Sequence, residues 1–571
     1  MLTAIIFLYP TQLHYQNAII QSVNVFPQLP LFGALYYAWF VLILVLLLLP
    51  GGKQENRDWQ NVALLAIFVL VFSGLWIVLS HGYFGVDSFV PAGGAKFLLA
   101  EGRLDYPMTR GVVEFPTLTL LTFFVSRIAG LEIFDAITLF LLFQALLFSF
   151  LIYLLFGYLV KDGRLASLGT MIVIAGSMTI TDFLPQLHPR ITGLLFLVAC
   201  LTLLTKDKSA MFKSQPNTLL LFILLAAITI THAVTSFVFL LILLGIYLVQ
   251  RLSKTNLVNT SLITLAAAVF FSYEIYVAIG MSHFIFSFIP TFMRNLFSGE
   301  FFSYISSRII YSNVGGAVPL WANVAIIFWL LLIVSGGLLG LRNLQKIKRL
   351  NDVEKKMVGG LVGITLFMAI SGAASQMMEL LNRSLFYLPL FTASMVAGFL
   401  SNLRGLAKTL TLVVFILLLF ILSFPTFLAH NDAVATSTLH PSEIAYAEFL
   451  GSNYKQTDGI TIFTSSVYPI FINYHALNLQ RFTKFPTQPP PATPSGIWTH
   501  LDYFTKAFMN TEPYQTNILV FSPRIADHVR DFIGTDITGD PRWQELLDRL
   551  SQQALIYNNG FSQIYQAEGA R

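Results

Sequence analysis

HGYFGVDSFVPAGGAKFLLAEGRLDYPMTRGVVEFPTLTL, residues 81–120, follows an apolar run that reads as a membrane span. It carries Asp87, Lys96, Glu101, Arg103, Asp105, Arg110 and Glu114, so it is a charged loop hung on that span. An acid comes first, then a stretch that reads as a short apolar helix, then a break at Gly102 and a turn at Tyr106-Pro107. The side of the membrane this loop faces decides what it can do.

The rest of the chain supplies that side. Charged residues make up 11% of the 571, against roughly 25% in soluble proteins, so the chain cannot keep its surface in water. Candidate spans fall at 31–49, 62–80, 136–160, 165–183, 189–204, 219–231, 233–250, 260–280, 319–341, 357–375, 385–402 and 410–428. That is about twelve, several of them shorter than the ~20 residues a perpendicular helix needs. Short spans leave polar loops at membrane depth, which is tolerated where those loops line an enclosed cavity. Basic residues collect in alternate loops: Lys53 and Arg57; Lys161 and Arg164; Lys206, Lys208 and Lys213; Arg251 and Lys254; Arg342 to Lys356; Arg404 and Lys408. The positive-inside rule makes these cytoplasmic and puts the loops around Asp87, Asp182, His232, Arg294 and Arg383 outside. The net charge of +5 belongs to this topology pattern and is no footprint for nucleic acid. Residues 1–30 carry no Lys, Arg, Asp or Glu, which argues against a cleavable signal peptide and reads as an interfacial segment. The single cysteine, Cys200, rules out an intrachain disulfide.

Past residue 428 the chain turns polar and mixed in charge, on the outer side by the same parity. A helix is expected from Pro441, β-strands at 459–464 and 517–522, and an amphipathic helix near 543–550. A hairpin over 554–568 would turn at Asn559-Gly560 in type I′ geometry. Residues 485–494 form a proline-rich loop. The expected architecture is a polytopic α-helical membrane protein: a transmembrane part over 31–428 with an outer loop at 81–135, and a small C-terminal extracytoplasmic α/β domain over 429–571.

Few polar groups populate the outer loops. Those that stand out at the membrane surface are Asp87; Asp182 with His188 and Arg190; His232; His283, Arg294, Glu300 and Arg308; and Glu379 with Arg383. Two carboxylates on separate loops, with arginines and histidines from others, suit a reaction between a lipid phosphate and a hydroxyl. One carboxylate can take the acceptor proton, and arginine forks can hold a phosphate. The pair Asp87 and Asp182 could also share a divalent metal such as Mg or Mn, since oxygen ligands do not single one out. Each residue has a plainer reading too. Asp87 and Asp182 can cap the helices that follow, His232 can be a structural turn residue, and Arg383 can snorkel to the interface. Glu274 lies inside a span, where an ionisable group marks function by default, though it can simply pair with an arginine. There is no HExxH, Walker or dinucleotide motif, which argues against a nucleotide-driven enzyme.

A span, a loop with an early Asp, then AGGAKFLLAEGRLDYP and EFPTLTLLTFFVSRIAG, resembles the first outer loop of the GT-C superfamily. That superfamily comprises polytopic glycosyltransferases using polyprenyl-phosphate sugars, among them oligosaccharyltransferases, protein mannosyltransferases and aminoarabinose transferases. THAVTSFVFLLILLGIYL (231–248), MELLNRSLFYLPLF (378–391) and the closing YNNGFSQIYQA are similar to further parts of such chains. The resemblance implies that Asp87 is the catalytic first-loop acid, that Asp182 is the second acid, and that Arg383 sits near the carrier phosphate. Departures are present as well: Asp182 stands alone where the family often shows two acids, no WWD motif occurs, and the 31–49 span is extra. The function implied is transfer of a sugar from a polyprenyl-phosphate donor to a glycan, lipid or protein acceptor on the outer face of the cell membrane. Asp87 would be the general base, with Arg383, Arg294, Arg308, His232, His188 and Arg190 around the lipid phosphate. An ion-coupled transporter or lipid flippase, and a non-catalytic envelope assembly protein, are the other classes compatible with the sequence.

Overall fold

Helices that are apolar all round need lipid or other helices about them, and the apolar runs of this chain fold as such a bundle. The structure, a computed structural model, describes residues 54–74, 77, 88–104, 115–160, 162–175, 180, 184, 186–206, 215–278, 320–373, 378–405, 407, 410–411, 413–414, 441–453, 460–464, 508–509, 516–521, 538–558 and 563–568. Helix α1 spans Gln54–Val69 and runs on as a π-helical turn over Leu70–Gly74. Then come α2 (Phe89–Glu101), α3 (Thr117–Ala129), α4 (Ile133–Val160), α5 (Gly163–Ala175), α6 (Pro189–Lys206), α7 (Gln215–Thr231) and α8 (Ala233–Ser253). They are followed by α9 (Thr260–Tyr276), α10 (Leu320–Gln345), α11 (Asp352–Ala373) and α12 (Met378–Asn402). Among the described residues α4, α6 and α8 are long and apolar enough to cross a membrane, and shorter apolar helices accompany them.

The described helices therefore fall on the expected apolar runs from 136 to 402, although most of 176–183 lies outside the described residues. The 31–49 span and most of 410–428 lie outside the described residues. Two differences are instructive. α1 begins at Gln54, eight residues before the apolar run, because QENRDWQN is helix-forming although it is polar. Residues 117–129, read as part of a loop, form α3, whose 13 residues are too few to span a bilayer.

Glycine governs how closely the helices approach. On α8 and α11, a Cβ at Gly359 would stand 2.5 Å from the Ile246 Cα, and one at Gly245 would run into the Gly359 carbonyl. The two backbones are in direct contact, as membrane helices achieve with small residues four apart; here they are Gly359 and Gly363. α12 is gripped in a similar way: Gly336 of α10 makes room for Thr392, and Gly360 of α11 for Phe391.

The C-terminal part adds α13 (Pro441–Asn453), β1 (Ile460–Thr464), β2 (Thr516–Phe521), α14 (Pro541–Ser551), β3 (Ala554–Asn558) and β4 (Gln563–Glu568). The sheet order is β1-β2-β4-β3, with β1 parallel to β2 and the other pairs antiparallel. α14 buries Trp543, Leu546 and Leu550, one stripe at i, i+3 and i+7, and Trp543 lies 5.8 Å from the Phe521 ring of β2. The hairpin differs from its expected turn. Asn558 pairs with Gln563, so four residues join β3 to β4, where a two-residue turn would pair Asn558 with Phe561. Asn559 and Gly560 themselves lie outside the described residues. Tyr446 and Leu450 of α13, Ile518 and Val520 of β2, and Ile564 of β4 belong to the same contiguous apolar core as the bundle helices.

Candidate functional site

Among the described residues, the starts of α2, α3, α6 and α8 and the end of α9 are tied together at one end of the bundle. Ser88, at the start of α2, accepts a hydrogen bond on its Oγ from the Leu187 N–H, 3.1 Å away across 99 residues of sequence. Both groups are buried. Thr117, at the start of α3, donates its hydroxyl to the Ile230 carbonyl at 3.0 Å. Just before it, the ring of Phe115 lies 6.2 Å from that of Tyr273, at the end of α9. The first loop thus clasps the turns before α6 and α8 and the last turn of α9.

Two histidines open the helices at this end. His188 Nδ1 accepts from the Arg190 N–H at 3.0 Å, which caps α6. His232, with extended backbone at φ −161°, caps α8 by accepting the Thr235 N–H on Nδ1 at 3.2 Å. A ring nitrogen that accepts carries no proton, so each neutral imidazole holds its proton on Nε2. Both rings are buried. The capped turns touch: a Cβ on Gly193 of α6 would stand 2.8 Å from Thr235 Oγ1 and 3.4 Å from His232 Cβ. Thr192, beside that glycine, donates to Gln144 Oε1 of α4 at 2.6 Å. Two helix N-termini side by side present the positive ends of their dipoles, an environment that favours an anion.

α12 joins this group through a hydrogen-bond chain. His232 Nδ1 lies 2.8 Å from Thr235 Oγ1, which lies 2.6 Å from the Tyr387 hydroxyl. Because Nδ1 can only accept, the Thr235 hydroxyl donates to it, and Tyr387 must then donate to Thr235. Arg383 precedes Tyr387 in α12 by four residues, one helical turn. On α9, Leu262, Ala266, Phe270 and Glu274 form the buried stripe, so the helix's one acid faces the bundle interior. On α2, burial holds the Lys96 ammonium below the usual lysine range, while the carboxylates of Glu448 and Glu132 act against that shift. Glu448 belongs to α13, so the C-terminal part stands over the first-loop helices.

Of the residues expected from sequence, His188 and Arg190 lie at the start of α6 and His232 at the adjoining start of α8, while Arg383 is carried by α12. Asp87, Asp182, Arg294 and Arg308 lie outside the described residues. Their sequence neighbours are informative all the same. The N-cap position of α2 falls on Ser88 rather than Asp87, and α6 is capped by His188 rather than Asp182. Among the described residues no three His, Cys, Asp or Glu side chains gather as metal ligands. Ser88, Thr235 and Tyr387 were not singled out from sequence. A tyrosine inside an apolar span is a usable signal, since its hydroxyl needs a partner there. The opposite ends of α6 and α8 carry the basic residues, among them Lys206 and Arg251, and Lys356 donates to the Leu204 carbonyl at the end of α6.

Solved structures share this fold. The archaeal oligosaccharyltransferase AglB from Archaeoglobus fulgidus, in complex with an inhibitory peptide and a dolichol-phosphate, matches with a TM-score of 0.53 at 14% identity. The match covers 83% of this chain and 70% of that one. The apo form of that enzyme gives a TM-score of 0.53 at 13% identity over the same shares, and it has also been solved with Zn and sulfate. ArnT from Cupriavidus metallidurans bound to undecaprenyl phosphate aligns over 89% of this chain and 99% of its own, with a TM-score of 0.49 at 12% identity. No family model and no curated protein matches the sequence. The chain thus shares the fold of the oligosaccharyltransferase AglB.

Proposed function

We propose that the chain is an integral-membrane glycosyltransferase that moves a sugar from a polyprenyl-phosphate carrier to a glycan, lipid or protein acceptor at the outer face of the cell membrane. The observation that carries this reading is the Ser88–Leu187 hydrogen bond, which ties the loop of Asp87 to the loop of Asp182. It does so at the end of the bundle where α6 and α8 open side by side. The fold shared with AglB, solved with dolichol-phosphate, supports the carrier class. About twelve spans and an extracytoplasmic domain over 429–571, roofing the site, complete the proposed topology.

In the proposed reaction the acceptor hydroxyl attacks the anomeric carbon of the donor sugar. A new carbon–oxygen bond forms, the bond from that carbon to the carrier phosphate breaks, and the acceptor proton passes to Asp87. Asp182 orients the acceptor. The departing phosphate takes the bonding pair and needs positive surroundings rather than a proton. Arg383, with Arg294, Arg308 and Arg190, would supply that charge, and His188 and His232 would supply helix N-termini and Nε2–H donors. A divalent cation, where one takes part, would be held by Asp87 and Asp182 and would help neutralise the phosphate.

The test is release of polyprenyl phosphate from a radiolabelled polyprenyl-phosphate sugar by membranes containing the protein. Asp87→Asn should lower transfer at least about 100-fold, the smaller end of the range for a general base, while leaving carrier binding intact. Full transfer by that variant would remove Asp87 from the mechanism.

A further inference from the structure

α12 contains a proline, Pro389, in its interior. Proline has no N–H, so the helix lacks its bond to the carbonyl four residues back. The turns beyond Pro389 are fixed by packing, Phe391 against Gly360 and Thr392 against Gly336. Those before it begin at Met378 and include Arg383. Of these turns, the last carries Phe386 and Tyr387, both buried in the core, and the Tyr387 hydroxyl, two residues ahead of the proline, links it to α8 by donating to Thr235 Oγ1 at 2.6 Å. Thr235 in turn donates to His232 Nδ1 at 2.8 Å, and the same nitrogen caps α8. Tyr387 is 1% exposed and Thr235 0%, so water does not compete for these bonds.

We infer that Tyr387 and Thr235 are positioning residues, which lock the Arg383-bearing turns of α12 against the adjoining N-termini of α6 and α8 so that together they form one phosphate-binding surface. This rests on the proposed carrier class. The hydrogen bonds fix the rotation of a helix segment whose own ladder is interrupted, and Arg383 lies one turn further along that segment. Gly193 serves the same arrangement by letting α6 approach the Thr235 hydroxyl, where a methyl group would stand 2.8 Å from the oxygen.

The experiment measures binding of undecaprenyl phosphate to the purified full-length protein in nanodiscs, for wild type, Tyr387→Phe, Arg383→Ala and the double variant. Tyr387→Phe should weaken binding about tenfold, while lowering the thermal midpoint by only the few degrees that loss of one buried hydrogen bond costs. In the Arg383→Ala background the same change should have less than about a twofold effect, because two residues that act through one contact are not additive. Thr235→Val should reproduce Tyr387→Phe, and Thr235→Ser, which keeps the hydroxyl, should restore binding. Wild-type protein that fails to bind the phosphate lipid overturns the carrier reading and this inference with it. Wild-type binding with full additivity of Tyr387→Phe and Arg383→Ala, or with Tyr387→Phe unchanged, overturns the positioning role alone.

Discussion

His232 shows how a residue of doubtful meaning in sequence gains a definite local role in the fold. A histidine between two apolar runs can be a ligand or a turn residue, and sequence leaves both open. In the structure its Nδ1 accepts the Thr235 N–H, which satisfies one of the four donors that a helix start leaves unpaired inside an apolar bundle. That cap is worth about 1 kcal/mol by comparison with other side-chain caps. His232→Ala should therefore destabilise the protein by about that amount, while His232→Asn, which caps equally well, should not. Thermal unfolding in detergent reads the difference, and equal melting of wild type and the alanine variant would show that the cap contributes nothing. Sequence could not have paired the ring with Tyr387, because their helices lie 152 residues apart along the chain between Thr235 and Tyr387.

Among the elements, span starts were legible where a chemical signal marked them. Pro189 begins α6 and Ala233 begins α8, each at the position where the apolar run meets a polar residue able to cap it. The ends were less legible, since Lys206 and Ser253 continue their helices past the apolar run into basic residues that favour a helix C-terminus. α3 was hidden because its 13 residues sit in a charged loop and pack on α2 and α4 instead of spanning. The glycine contacts were invisible from sequence, which shows GGLVG but not what it faces. Substitutions separate packing glycines from incidental ones. Gly359→Leu should abolish folded protein, since backbone of α8 blocks every rotamer and overpacking costs at least about 1–3 kcal/mol even where side chains can yield. Gly398→Ala in α12, with no atom within 4 Å of the added methyl, should hold or raise stability by up to about 1 kcal/mol. Size-exclusion profiles and melting curves of the two variants test this; a well-folded Gly359→Leu protein would mean that α8 and α11 do not touch as described.

For the whole molecule, the question is what holds the C-terminal part against the bundle, and magnitudes decide it. Two contributions are visible among the described residues. One is electrostatic: Lys96 of α2 is drawn to Glu448 of α13 and to Glu132, although burial lowers its pKa overall. Glu448 is exposed, so an attraction there is screened and worth at most about 0.5 kcal/mol. The other is apolar. Leu450, one residue past Phe449 on α13, is fully buried in the core that continues into the bundle, and Phe449 stacks at 4.6 Å on Tyr557 of β3. Truncating a buried leucine costs about 2–5 kcal/mol, several times the electrostatic share. Leu450→Ala should accordingly loosen the C-terminal part and speed its cleavage by protease, whereas Glu448→Gln should leave the cleavage rate within about twofold, in low or high salt. Lys96 sharpens the test through pH. Its folded pKa lies below its unfolded value, so its burial disfavours the folded state wherever the free lysine is charged, and that penalty is relieved as pH rises through the folded pKa toward the model-peptide value of about 10.4. Protease resistance should therefore improve over that alkaline window in wild type and not in Lys96→Met. If instead Glu448→Gln released the C-terminal part as readily as Leu450→Ala, the attachment would be electrostatic and its strength would fall with added salt.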